Sequence, residues 1–189
     1  MALSLPTEDD KEDLLLSCRY GDTEDVKLFV DRFGPDPLNE VRDDSGNSVL
    51  HMACGNGHLD YLLSVVSPTL LSAQNNARST PLHWAALNSH LPVVQRLVQF
   101  PNGPGKDLID IKNASGRTPL GEAENVGWDE GAKWLVQVMN LDDGDKEEKQ
   151  ADEGVEVGPE DIEVEIQDAE GKVARMKISP QGSDPSKSS

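Results

Sequence analysis

TPLHWAALNSH, residues Thr80–His90, decides how this chain is read. Proline directly after a threonine, then an apolar cluster that stops at Asn-Ser, is the start and end of a short helix, because proline at the first helical position leaves no N–H unpaired. The phrase recurs upstream as SVLHMACGNGH (Ser48–His58) and downstream as TPLGEAENVGW (Thr118–Trp128). Four segments then align without a gap: Leu14–Val30, Leu50–Val66, Leu82–Val98 and Leu120–Val136. Gly21, Gly57, Ser89 and Gly127 share one frame position, at offsets of 36, 32 and 38. After it a second apolar cluster follows at helical spacing, such as Leu59, Leu62, Leu63 and Val66, or Leu91, Val94, Leu97 and Val98. Each unit is thus two short antiparallel helices, too small to be stable alone, which must stack.

Composition bounds what such a stack does. The 189 residues carry a formal charge of −18, with 36% hydrophobic residues. That balance excludes direct nucleic-acid binding, which needs clustered Lys and Arg, and favours a basic protein partner. Cys18 and Cys54 form no framework, so a reducing compartment is expected, and no apolar run reaches the ~18 residues of a membrane span. No Cys/His cluster has metal-ligand spacing, and no phosphate loop or nucleophile triad is present, so no enzyme, metal or cofactor is expected. From Asp142 to Glu170 fourteen acidic residues face two lysines, while every Trp, Tyr, Phe and His lies in 14–141. The organisation read from this is a flexible N-terminus (1–10), a folded body (11–141, units about 11–40, 41–74, 75–111 and 112–141) and an acidic tail (142–189). Charge makes the tail largely disordered; the alternatives are an acidic hairpin, with Ile162, Val164 and Ile166 before a turn at 168–171 and Val173, Met176 and Ile178 after it, or a strand that pairs with a partner.

The three phrases resemble the ankyrin-repeat family, whose T-P-L-H-x-A-A-x-x-G-H pattern RSTPLHWAALNSH nearly reproduces. The fold this implies is an all-α ankyrin-repeat solenoid of about four helix-turn-helix units. Ser89 departs from the family's glycine at a cost of about 1 kcal/mol of backbone strain. The resemblance also implies that the motif Thr and His hydrogen-bond within and between turns, so His51 and His83 are architectural. Cys18 and Cys54, in the frame position of Ala86, are small buried packers. Trp128 and Trp134 belong to the core or end cap; the insertions FGPDPLNEVRDD (Phe33–Asp44) and FPNGPGKDLIDI (Phe100–Ile111) are either loops that reach a ligand or tolerated surface loops, and the second reading is taken for both.

In that family partners bind the concave surface of turn tips and first helices. Carried over, this gives Asp44, Asn47, Met52 and Asn56 in the second unit, Asn76, Ser79, Trp84, Leu87 and Asn88 in the third, and Arg117, Glu122 and Asn125 in the fourth. Trp84 is either an aromatic anchor for a partner or packing against a neighbouring helix. A narrower resemblance, carried by PLHWAALN (Pro81–Asn88), GRTPLGEAENVG (Gly116–Gly127) and the acidic tail, is to fungal ankyrin proteins that are dedicated chaperones of a KH-domain ribosomal protein of the small subunit. It implies a monomer that forms a heterodimer with this basic client, in cytoplasm and nucleus. Two other classes stay open: a regulatory scaffold or inhibitor of a kinase or transcription factor, and an acidic histone or nucleic-acid-mimic binder.

Overall fold

The computed structural model describes residues 5–140 in full, the backbone of a helix on to residue 150, and two strands at 162–167 and 173–178. Each first helix begins at a hydroxyl cap and ends at a left-handed residue. In α1 (Glu8–Tyr20) the Thr7 hydroxyl accepts from the Asp10 N–H, the Asp10 carboxylate returns the contact, and Gly21 closes the helix at φ 77°. The helix therefore starts inside the stretch read as a flexible lead-in. Ser48 caps α3 (Val49–Asn56), Thr80 precedes Pro81 at the start of α5 (Pro81–Leu87), and Thr118 caps α8 (Pro119–Asn125). These helices lie side by side, α1 on α3, α3 on α5 and α5 on α8.

The second row is less regular. α2 (Thr23–Phe33) and α6 (Leu91–Val98) are full helices, whereas α4 (Leu62–Val65) is a single turn. The cluster Leu59, Leu62, Leu63 and Val66 is buried as expected, but Val66 is already extended at ψ 156°. The cause is Pro68, which bars Ser67 from the helical region, after two β-branched valines. A 3-10 turn (Pro68–Ser72) follows, burying Leu70 and Leu71. In the fourth unit α9 (Asp129–Gln150) continues past 141, and the compact unit that holds the repeats closes at Lys146.

The two insertions are not idle loops. A 3-10 turn (Asp36–Asn39) sends Leu38 into the core, with Val41 beside it, and α7 (Asp107–Asp110) buries Leu108 and Ile109. All four join one continuous core with Leu14, Leu50, Leu82 and Leu135, each burial being favourable by about 1.5–3 kcal/mol. Cys18 and Cys54 sit in that core; burial pushes the Cys18 thiol up to about 12 and Cys54 higher still, so both are packing groups at neutral pH. Trp128 and Trp134 pack half-buried against its last layer.

The second compact unit, Glu147–Ser189, contains β1 (Ile162–Gln167) and β2 (Val173–Ile178). They pair antiparallel, Ile162 opposite Ile178 and Val164 opposite Met176, with Glu163 opposite Lys177 and Glu165 opposite Arg175. The two strands are those of the hairpin alternative, though the register sets Val173 opposite Gln167 and Ile166 opposite Ala174. The rest of the tail, where disorder is expected, lies outside the described residues.

Three non-glycine residues have positive φ: Arg78 at 57°, Ser89 at 59° and Asn102 at 60°. Ser89 occupies the slot that Gly21, Gly57 and Gly127 fill, and Arg78 the one that Gly46 and Gly116 fill. Ser89→Gly is expected to stabilise the body by about 0.5–1 kcal/mol, strain relief exceeding the added entropy of the unfolded chain. The measurement is the midpoint of thermal unfolding, which should rise; Gly57→Ala should lower it.

Candidate partner-binding face

The turns between units are built alike around one acceptor. Asp43 Oδ1 accepts from the N–H groups of Ser45 and Asn47, Asn75 Oδ1 from Ala77 and Ser79, and Asn113 Oδ1 from Ser115 and Arg117, at 2.7–3.0 Å. Backbone bonds tie neighbouring turns: Asn76 N–H to the Ser45 carbonyl and Ala114 N–H to the Ala77 carbonyl, both 2.9 Å. Side chains add to the ladder, Asn75 Nδ2 donating to Asn47 Oδ1 at 2.7 Å and Asn76 Nδ2 to the Asp44 carbonyl at 3.1 Å.

Histidines lock this ladder to the helices. His51 Nδ1 accepts from the Ser48 N–H at 3.1 Å, and Nε2–H donates to the Ser79 carbonyl of the next turn at 2.8 Å. His83 repeats the arrangement, with the Thr80 N–H at 3.1 Å and the Arg117 carbonyl at 3.0 Å. An amide donor on one nitrogen and a carbonyl acceptor on the other leave only the neutral Nε2–H tautomer. Burial holds His51 down at about 4 and lowers His83 as well.

The residues expected to meet a partner divide in three. Asn47 and Glu122 are withdrawn from solvent, contrary to expectation. Asn47, 5% exposed, joins Asp43 to Asn75, and Glu122, 8% exposed, accepts from Asn113 Nδ2 at 2.7 Å with Arg117 Nη1 3.8 Å away. Both are framework, because polar groups this buried must find partners inside. A second set is exposed or partly exposed yet tied down: Asn76 and Ser79 in the ladder, and Asn56 and Asn88, whose amides donate to the Met52 and Trp84 carbonyls at 2.9 Å. The third set presents side chains outward: Asp44, Leu87, Arg117 and Asn125, with Met52 and Trp84 half-buried.

Trp84 fits neither expectation completely. Its ring stands nearly perpendicular to that of His51 in the preceding unit, centroids 6.0 Å apart, and it lies over Gly55, where an added Cβ would come within 2.7 Å of Cε3. One part of the indole is therefore packing against α3, and the remainder is surface. Leu16, Met52 and Trp84 hold the same frame position in three successive units, making an apolar stripe across the first helices. Leu16, 48% exposed, was missed in the sequence because the first unit has no turn motif; the frame alignment itself was the signal. Beside it, Glu12, Leu15, Leu16, Arg19, Asp43 and Met52 line a shallow depression between α1 and α3.

The face is chemically mixed. Leu87 and Val126 are 44% and 42% exposed, and arginines at 19, 78 and 117 stand among Glu12, Asp44 and Glu124. Such a surface suits selective protein contact, apolar anchors within a polar rim. Among the described residues no group of His, Cys, Asp or Glu is placed to hold a metal ion, and no helix is long and apolar enough to cross a membrane.

Comparison with known proteins agrees with this architecture. A family profile described as ankyrin repeats, in three copies, matches residues 14–107 and 60–149. The Saccharomyces cerevisiae ankyrin repeat-containing protein YAR1 is 30% identical over 161 residues, covering 78% of each chain. The Arabidopsis thaliana protein ACCELERATED CELL DEATH 6 is 41% identical over 64 residues, a third of this chain and only 10% of the Arabidopsis protein's length. Among solved structures, a chain in the crystal structure of the yeast ribosomal protein Rps3 in complex with its chaperone Yar1 superposes with a TM-score of 0.65 at 28% identity, over 70% of this chain and 95% of that one.

Two outcomes follow from the framework. Because the folded-state value of His51 lies below the ordinary 6.5, its clasp contributes in full above that pH and is lost progressively as pH falls towards about 4. Urea unfolding at about pH 7.5 and about pH 4.5 should differ by on the order of 2–3 kcal/mol from this group, and the difference should shrink in His51→Gln, which does not titrate. Glu122→Ala should cost about 1–3 kcal/mol by orphaning the Asn113 amide, while Asn125→Ala stays within about 0.5 kcal/mol, as read by thermal unfolding.

Proposed function

Because the chain belongs to the ankyrin-repeat family, whose stacked frame holds variable side chains on its turns and first helices, we propose that it is a dedicated chaperone of a basic small-subunit ribosomal protein, the counterpart of Rps3. The observation that carries this reading is the reach of the likeness to YAR1, 78% of both chains, well beyond the span of one repeat motif. A structural neighbour, the yeast Rps3–Yar1 complex, pairs such a chaperone with a ribosomal protein and supports that client class.

The physics of the task suits the sequence. A ribosomal protein made for rRNA is rich in Lys and Arg, and unassembled it adheres to stray polyanions or aggregates. A holder with a charge of −18 attracts it over a Debye length of about 8 Å at physiological salt and suppresses those competitors. The stripe of Leu16, Met52 and Trp84, extended by Leu87, then supplies short-range grip that salt does not screen. The work is binding, with no bond made or broken. One client molecule per chaperone, met in the cytoplasm and accompanied into the nucleus, is the assembly this reading entails.

Co-expression with the Rps3-type protein of the same cells tests it. Wild-type chain should raise the soluble client several-fold, and Leu87→Glu with Val126→Glu, at positions 44% and 42% exposed, should weaken binding by about tenfold or more while thermal unfolding of the repeats is little changed. Full client solubility without the chain, or unaltered affinity of the double variant, would count against the reading.

A further inference from the structure

Each later hairpin of the stack has a predecessor against it: α3 lies on α1, α5 on α3 and α8 on α5. Among the described residues nothing occupies the corresponding side of the α1–α2 hairpin. Terminal repeats in such stacks are made polar on that side, where water replaces the missing neighbour. This one is not. Leu28 is 64% exposed, Tyr20 72% and Leu16 48%, around a groove of about 640 Å³ that reaches the edges of Leu14 and Phe29.

The charge around the groove is one-sided. Asp10, Asp13, Asp22 and Asp25 line it with a single cation, Arg32, which already pairs with Asp10 at 3.2 Å. Asp22 also caps α2, so Asp13 and Asp25 are the carboxylates whose contacts leave them most available. The imbalance extends through the unit: residues 8–40 hold eleven Asp and Glu against four Lys and Arg, whereas residues 41–141 hold nine against seven. The acidic excess of the repeat body is therefore concentrated in its first unit, while the later units are nearly balanced.

We propose that the open side of the α1–α2 hairpin is a second docking surface, and that its occupant is an amphipathic helix with lysines or arginines along its flanks, contributed by the client. This rests on the chaperone reading above. Shape selects a helix, since the place is that of the helical hairpin a preceding repeat would supply, and ridges of side chains spaced by one turn fit the groove between two helices. Charge selects a basic one, which no acidic or neutral segment of this chain's own kind satisfies. Leu16 belongs both to this groove and to the depression beside Met52, so a single client can cover both surfaces continuously.

The test places a photo-crosslinking p-benzoylphenylalanine at Leu28 of the full chain, or at Val136, exposed on α9 in the last unit, as control. Each is mixed with the purified Rps3-type protein, and complex formation is followed separately by gel filtration. The expected result is a complex in both cases, an adduct from position 28 but not 136, and mapping of that adduct to a helix bearing Lys or Arg. Leu28→Glu should lower affinity about tenfold. A complex that gives no adduct at 28 and tolerates Leu28→Glu overturns the docking surface while leaving the chaperone reading intact. Should no complex form, the chaperone reading fails, and the surface is judged with a synthetic amphipathic helix of leucine and lysine against one of leucine and glutamate. An adduct with the lysine peptide alone supports the surface; an adduct with neither, or equally with both, overturns it.

Discussion

A neutral imidazole clamped between two turns is what the rest of this stack depends on. His51 and His83 each cap their own helix through Nδ1 and hold the following turn through Nε2, so one side chain fixes both the entry of a helix and the spacing to the next unit. The helices are seven to eight residues long at α3, α5 and α8 and have no independent stability. Their order comes from being joined. Nearest-neighbour coupling of this kind lets the exposed positions vary with little effect on the frame, and that is why a partner surface can be carried on so small a core.

The repeat itself was legible in the sequence because its marks are local. Thr-Pro at a helix start and a residue of positive φ at its end need no tertiary contact to be recognised, and both lie where the frame puts them, down to Ser89 in a glycine's slot. The buried roles of Asn47 and Glu122 were not legible. Each takes its partner from across the turn ladder or nine residues away, Asn75 for one and Asn113 for the other, and a polar residue in a turn carries no mark that tells an internal acceptor from a solvated one. The one-turn α4 was written in Ser67-Pro68 but masked by the periodicity of Leu59, Leu62 and Val66. The insertions were misjudged for the same reason: Pro and Gly announced loops, while Leu38 and Ile109 fill the core from within them.

Charge and apolar surface are divided along the chain in a way that suits a holder. The stripe through Leu16, Met52 and Trp84 runs over a face where arginines and carboxylates are interspersed, so selectivity there comes from shape and apolar fit. Long-range attraction belongs to the first unit and to the tail, where acidic residues greatly outnumber basic ones. In the proposed chaperone, capture and grip therefore fall to different segments, the first weakened by salt and the second not.

The first unit has Leu15 where the second and third have His51 and His83. It meets α3 by apolar packing, with the His58 ring pressed on Gly21 and Lys27 above the Tyr61 ring at 5.7 Å, and without the directional clasp that joins the later units. Van der Waals contact resists separation but tolerates small rotations that a hydrogen bond does not. The most acidic unit of the repeat body is in consequence joined to its neighbour by a greasy contact and, through its trailing loop, by the Ser67 N–H donating to Asn39 Oδ1 at 2.8 Å, rather than by an imidazole clasp.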